Sequence, residues 1–439
     1  MNTRETLKIN GAGHLEIGGC DTVELAQEFG TPLYVFDEAH FMKLATLMRG
    51  VLRNEYGEGE IAYASKAFAC KAVLAMAREA GLSADVVSGG ELYIAKQSAF
   101  DISKIYFHGN AKTNAEIDEA VSSGVGAIVI ESADEAVKIS ASAKRYGVLQ
   151  GVMVRVNPMV EAHTHSFVQT ANTDSKFGVQ LGGEELLSLI KKINADKNLS
   201  FSGLHVHIGS QIFDIEPYLV TCEKLVRYIK TLENEGISVK KLNLGGGFGI
   251  TYTDSDPQFK DSDYARFISE ISKKLLSLIK QFGITKPALV FEPGRSLVGE
   301  AGITLYTVCA IKNIPDIRKY VSVDGGMTDN PRYALYGARY EAAVCCRAAE
   351  KKIEKVTIAG KCCESGDIIT ADAMLQPANI GDTLAVFSTG AYNYSMASNY
   401  NSNAVPPVVT VLNGKAEYIV KPQTYRDIVR NNVLPDRLK

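Results

Sequence analysis

Short apolar runs recur through the first two thirds of the chain, each separated from the next by an amphipathic stretch. The runs are IAYASKA (61–67), SADVVS (83–88), KIYFHG (104–109), AIVIES (127–132), VMVRVN (152–157), SGLHVHIG (202–209), KLNLGGG (241–247) and ALVFEPG (288–294). Brief, nearly continuous apolar runs of this length predict strands buried on both faces. The stretches between them, such as ELYIAKQSAF and EELLSLIKKI, carry apolar residues at helical spacing. Eight strand–helix units in about 250 residues is the arithmetic of a (β/α)₈ barrel. A doubly wound open sheet has the same alternation, but the first run is not followed by the G-x-G-rich loop of a dinucleotide fold. The expected class is therefore α/β, with a TIM barrel over residues 38–295.

Past residue 296 the texture changes. ITLYTVCAI, KYVSVDGG, KVTIAG, TLAVFSTG, PPVVTVLN and AEYIV are strand-like, and no helical stretch of comparable length lies between them. The early segment TPLYVFD also reads as a strand outside the barrel. Residues 296–439 are expected to form a second domain, a β-sandwich or barrel-like unit completed by residues 1–37. No Pro- or Ser-rich linker, low-complexity tract or repeat of 20–50 residues stands out.

Composition narrows the function classes. The chain has 439 residues, 46% hydrophobic and 22% charged, with a net charge of -3. That is ordinary globular composition, and no basic block offers a footprint for nucleic acid. The N-terminal stretch MNTRETLKINGAGHLEIGG lacks the basic-then-apolar pattern of a signal peptide. No apolar run is long enough to span a bilayer, so a cytoplasmic protein without a membrane partner is expected. The eight cysteines contain no C-x-x-C pair, which argues for reduced thiols rather than zinc ligands.

Unusual residues gather at the C-terminal ends of the proposed strands, the face on which barrels build active sites. Lys66 ends the first strand, in a setting suited to a Schiff base if burial lowers its pKa. Asp85 and Ser88 lie near the end of the second. His205 and His207 lie on the sixth, followed by Gly209 and Ser210. Gly245, Gly246 and Gly247 end the seventh, where backbone N–H groups can converge on a phosphate. Glu292, Gly294 and Arg295 end the eighth. Arg295 could pair with a phosphate or a carboxylate, and a buried Glu292 needs a cationic or donor partner such as a protonated ring nitrogen. His205 and His207 could instead suggest a metal pair, but the sequence offers few further ligands at strand ends, and an imidazole stacked on a flat cofactor is the better use. A lysine, a phosphate cradle, a buried glutamate and a ring partner together describe pyridoxal 5′-phosphate.

The motifs YASKAF, SGGEL, FHGNAKT, RVNPMVEAHTH with DSKFG, HVHIGSQI, NLGGGFGI, EPGRSLV, DGGMTDNPRYALYG, CCESGD, GAYNYSMASNYN and the tail TYRDIVRNNVLPDRL resemble the alanine-racemase-like, fold type III pyridoxal-phosphate enzymes. Within them the diaminopimelate decarboxylase family is the most similar, from about residue 28 to the C-terminus. The resemblance implies decarboxylation of meso-2,6-diaminopimelate to L-lysine, with Lys66 as the Schiff-base lysine. It implies that His207 stacks on the cofactor ring, that Ser210 and Gly245 to Gly247 hold the phosphate, and that Glu292 meets the ring nitrogen. Asp85, Gly294 and Arg295 join the expected cofactor set. Arg295, Arg332, Tyr336 and Tyr392 resemble substrate ligands, with Tyr392 also reaching the phosphate. Cys363 and Glu364 are similar to the pair that enters the neighbouring subunit's site, the cysteine as proton donor and the glutamate at the distal end of the substrate. A homodimer with shared sites follows from the resemblance. One stretch departs from the pattern: where the family usually carries arginines after SNYN, this chain has SNAVPPVV. Cys362 also stands where an apolar residue is more usual. An amino-acid racemase, an ornithine or arginine decarboxylase, a non-catalytic pyridoxal-phosphate carrier and a metal-dependent barrel hydrolase are the competing readings.

Overall fold

The computed structural model describes residues 5–160 and 175–439. The EAHTH motif and Asp174 of DSKFG lie outside the described residues. The chain divides into two compact units, one of Met42–Ile250 with Pro257–Leu297, the other of Met1–Phe41, Thr251–Asp256 and Val298–Lys439.

The first unit contains the eight expected strands: β1 (Gly59–Ala64), β2 (Ser83–Val86), β3 (Ile105–Phe107), β4 (Ala127–Ile130), β5 (Gln150–Asn157), β6 (Leu199–His205), β7 (Lys241–Asn243) and β8 (Ala288–Phe291). All pair in parallel, each with the next, and β8 pairs back onto β1. The sheet therefore closes, and the open-sheet alternative falls. The runs are predominantly apolar because parallel strands covered by helices expose neither face to water, and their polar residues fall mainly toward the strand ends. Ala62, Tyr106, Ala127, Val129, Met153 and Val290 form a buried cluster contributed by five of the strands. Helix caps recur at the same place in the repeat. Ser88, Thr113 and Ser132 each accept a backbone N–H at a helix start, so every such turn spends its hydroxyl on an orphan helix donor.

The second unit is built on strands. The order across its large sheet is Ile368–Leu375, Glu354–Ala359, Arg318–Val323, Gly302–Ile314, Leu33–Asp37, Val408–Leu412, Lys415–Val420. The early TPLYVFD segment lies in the middle of it, antiparallel to Gly302–Ile314 and parallel to Val408–Leu412. Ala342–Val344 and Thr383–Val386 add a branch. Two apolar clusters fill this unit, one around Leu33, Val35, Ile303 and Leu305, the other around Tyr306, Val321, Ile358 and Leu384. Among the described residues no helix is long and apolar enough to cross a membrane.

Candidate active site

The C-terminal ends of the barrel strands bring together most of the residues singled out in this unit. Glu292 follows β8 and is buried. Its Oε1 lies 2.9 Å from His108 Nε2 and accepts from Asn243 Nδ2 at 2.6 Å. Its Oε2 lies 3.1 Å from His205 Nε2. Burial opposes ionisation here, but the two imidazoles, His108 foremost, outweigh it and hold the Glu292 carboxyl well below the usual carboxylate range.

The surrounding groups are pulled in different directions. Asp85, at the end of β2, is pushed up to about 6 by burial, against the pull of His108. Its Oδ1 stands 3.8 Å from His108 Nε2 and makes no hydrogen bond. His108 is raised, because Asp85 and Glu292 overcome its desolvation. His205 is lowered to about 4 by burial, with Glu292 pulling the other way. His207, half-buried just beyond β6, is driven well below the ordinary imidazole value by burial and then by the Lys66 ammonium. His205 and His207 therefore do not act as a pair. His205 combines with His108 and Glu292, the one group among the described residues whose ligand atoms lie close enough for a metal. Both imidazoles are already hydrogen-bonded to the carboxylate, and Asn243 donates to it as well.

Lys66 sits in a single turn immediately after β1. Burial was expected to free its amine; instead Lys66 is exposed, while every other residue from Ile61 to Phe68 is buried. Its charge nevertheless reaches the buried group, acting on Asp85 and His207. Gly294 packs against this end of β1: a Cβ added there would stand 3.0 Å from the Ala64 Cβ and carbonyl.

The triple glycine after β7 is held by its carbonyls. Gly245 O accepts from Glu292 N at 2.8 Å, Gly247 O from Ile212 N at 2.9 Å, and Gly246 O from the Tyr218 hydroxyl at 2.7 Å. Gly245 (φ 68°) and Gly247 (φ 106°) adopt left-handed backbone that side chains disfavour. A Cβ on Gly246 would fall on the Glu292 carbonyl. Nearby, Arg295 is buried and donates from Nη2 to Ser210 Oγ at 3.1 Å.

The remaining candidates belong to the second unit. Arg332 and Tyr336 open and close a one-turn helix, so they share a face at i, i+4. Arg332 is buried and donates from Nη1 to the Tyr252 hydroxyl at 2.7 Å and the Tyr340 hydroxyl at 3.0 Å. Its guanidinium carbon is 6.0 Å from the centre of the Tyr392 ring. Tyr392 has φ 62°, a strained conformation for an aromatic residue. Cys363 and Glu364 lie exposed on the loop of the CCESGD motif. All eight cysteines are free.

Residues 46–299 match the family model described as pyridoxal-dependent decarboxylase, pyridoxal binding domain. The diaminopimelate decarboxylase of Halalkalibacterium halodurans is 45% identical over 426 residues, 97% of this chain and 96% of that protein. The diaminopimelate decarboxylase of Bacillus subtilis (strain 168) is similar to the same degree, 45% over 426 residues. This chain belongs to the diaminopimelate decarboxylase family. A solved diaminopimelate decarboxylase from M. jannaschii, in complex with L-lysine, matches with a TM-score of 0.90 at 35% identity over 99% of both chains. The diaminopimelate decarboxylase from Helicobacter pylori, also complexed with L-lysine, matches at 0.85 and 28% identity, covering 93% of this chain and 98% of that one.

The diaminopimelate decarboxylase motifs point to Glu292 but not to what surrounds it. Reasoning from sequence missed Asn243, two residues before the triple glycine, and gave His108 no partner. Asn243 ends its strand and His108 directly follows its own, both buried, and a buried-strand Asn just before the glycines was the available signal for the first. Tyr252 and Tyr340, which hold Arg332, carried no signal beyond being tyrosines.

Proposed function

We propose that this protein decarboxylates meso-2,6-diaminopimelate to L-lysine and CO₂ with pyridoxal 5′-phosphate, as the last step of lysine biosynthesis. One observation carries the reading: a buried glutamate kept ionised at the mouth of the barrel by two histidines and an asparagine. A carboxylate has about four acceptor positions, and three on Glu292 are taken, leaving one on Oε2. A protonated ring nitrogen, a cationic donor, would be held there by the negative charge of Glu292. The glycine loop, closed to any side chain at Gly246, suits a phosphate.

Bound there, the cofactor supplies a sink for the electron pair released when CO₂ departs. The chain's own residues do the rest. Lys66 offers its amine at the end of β1 to hold the cofactor covalently. Glu292 keeps its negative charge through the cycle, because its two imidazoles and Asn243 remain in place whatever the substrate does. His207, held neutral, can stack on the ring without adding a second positive charge. Ser210 and Gly245 to Gly247 take the phosphate, Gly294 and Tyr392 join the cofactor set by resemblance, and Asp85 lies in the buried group around Glu292. Arg295, Arg332 and Tyr336 receive substrate carboxylate, since a planar guanidinium matches it bidentately. Entry of a substrate with two ammonium and two carboxylate groups into a partly dry site is costly unless each charge meets a partner.

The reading includes a homodimer. Cys363 and Glu364 are exposed on the isolated chain, and we assign them to the partner's site. There the Cys363 thiol delivers a proton to the product Cα and Glu364 faces the distal ammonium. The barrel of residues 38–295 carries the cofactor, and residues 296–439 with 1–37 supply substrate contacts. A cytoplasmic enzyme accords with this chemistry. The test is to incubate purified protein with meso-diaminopimelate and, separately, with ornithine, measuring CO₂ and L-lysine. Release from the first and not the second is expected. Release from ornithine alone overturns the substrate assignment, and a Lys66→Ala variant that still yields a borohydride-fixed pyridoxyl adduct overturns the lysine's role.

A further inference from the structure

Two loops of the second unit leave the same end of its large sheet. We label the strands before them β9 (Arg318–Val323) and β10 (Glu354–Ala359). They pair in parallel, Tyr320 with Thr357 through Ser322 with Ala359, so the segments that follow emerge side by side. One, residues 324–331, leads to Arg332. The other, residues 360–367, carries Cys363 and Glu364.

A buried carboxylate joins them at both ends. Asp367 Oδ1 accepts from Met327 N at 2.6 Å, and Oδ2 accepts from Cys362 N at 2.6 Å. Lys361 N donates to Gly325 O and Gly360 N to Asp367 O, each at 3.0 Å. The pocket is shaped for this carboxylate. A Cβ on Gly326 or on Gly360 would collide with it, and the two glycines leave no room for the carboxylate to retreat. Charge-assisted bonds from backbone N–H groups are the strong kind.

The two loops are not equally secured. The first is held independently. Asp329 Oδ1 accepts from Gly326 N at 2.8 Å, Asp329 Oδ2 from the Tyr306 hydroxyl at 2.5 Å, and Asp329 O from the Tyr34 hydroxyl at 2.5 Å. The second loop has Cys363, Glu364, Ser365 and Gly366 all exposed, and Asp367 is its one buried residue. Apart from Asp367 its main side-chain tether is Asn401, whose Oδ1 accepts from Cys363 N at 2.8 Å. The firm loop is the anchor and the exposed loop is what is anchored.

We infer that Asp367 is a positioning residue that fixes Cys363 and Glu364 for the neighbouring subunit's active site, acting in trans and touching no substrate. This rests on the shared-site reading above. Asp367→Asn keeps the shape but replaces one acceptor oxygen with an N–H₂ that faces a backbone N–H. Displacing the loop by an ångström should lower kcat/KM of the homodimer about 100-fold.

The decisive experiment co-expresses differently tagged chains and assays the mixture. Lys66→Ala with Cys363→Ala is the control. One site of that mixed dimer is intact if sites are shared, and at random pairing about a quarter of wild-type activity returns. Lys66→Ala with Asp367→Asn should return a comparable share, since the Lys66→Ala chain supplies an undisturbed loop to the site that retains Lys66. Recovery in the control but not in the Asp367→Asn mixture overturns the trans role. No recovery in either overturns the shared-site reading and this inference with it. If Asp367→Asn fails to fold, Gly360→Ala, whose Cβ displaces the same carboxylate, takes its place in the mixture with the same two outcomes.

Discussion

The barrel holds a cluster of charged and polar groups at each end, and the two are built on opposite principles. At the N-terminal ends of the strands, Lys241 Nζ meets Glu60 Oε1 at 2.6 Å and the Tyr106 hydroxyl at 2.7 Å, while Ser83 Oγ donates to Glu60 Oε2 at 2.5 Å. One cation faces one anion, and Glu60 is lowered by Lys241 in spite of partial burial. At the C-terminal ends, Glu292 and Asp85 share the His108 imidazole, and Glu292 alone takes His205. Glu292 is stabilised as an anion, Asp85 is left with an unbonded oxygen and a raised pKa, and the two imidazoles are shifted in opposite directions. The lower cluster settles its own charges. The upper one does not, and such unresolved groups concentrate at functional sites. The difference locates the chemistry without reference to any ligand.

The most severe way to break the comparison is Glu292→Gln. The amide keeps the shape and some hydrogen bonds but surrenders the charge that the two histidines stabilise. Loss of a charge aimed at the reacting group costs about 10²–10³ in kcat. The same exchange at Glu60 should leave kcat where it was, and equal losses at both positions would remove the distinction between the ends. Asp85→Asn should act on stability in the apoprotein. Burial raises its folded pKa to about 6, above the ordinary carboxylate value of 3.8. Its contribution to stability is therefore present below about pH 4 and lost as pH rises toward 6. Removing the charge should make the variant more stable than its parent above about pH 6, by up to about 3 kcal/mol. Thermal melts should coincide near pH 4 and separate as pH rises. A variant less stable than its parent at neutral pH would contradict the assignment.

How far the sequence discloses this depends on the range of each interaction. The eight barrel strands are legible because a strand buried on both faces is mostly apolar, so the apolar stretches of IAYASKA and ALVFEPG announce themselves. In the second unit Ile368–Leu375 is not, because its burial alternates with exposed Asp372 and Met374 and its register is irregular. At the site, the glycines and EPGR are visible as local motifs. The contacts of Glu292 are not. His108 is 184 residues away and Asn243 is 49 residues away, and closure of the barrel alone brings them together. The exposure of Lys66 was missed for the converse reason. Local apolarity implied burial, but the strand ends at Ala64 and Lys66, in the turn that follows, is exposed.

The smallest effect gives the sharpest contrast. Glu60 has a folded pKa below its ordinary value of 4.5, held down by Lys241. Its stabilisation is thus present above that value and disappears as pH falls through the lowered pKa, the reverse of Asp85. Glu60→Gln leaves Lys241 without its counter-charge, but both side chains are about a third exposed, 30% and 34%, so water screens most of the loss. The expected penalty at pH 7 is about 1 kcal/mol, fading below about pH 4. Added salt should shrink it further, because a partly exposed pair is screened, whereas the Asp85→Asn gain arises from a fully desolvated carboxyl and should hardly respond. Denaturant melts of both variants at low and high ionic strength measure this directly. A salt-insensitive Glu60→Gln penalty would mean that the lower cluster is as desolvated as the upper one, and the two ends of the barrel would then differ in composition alone.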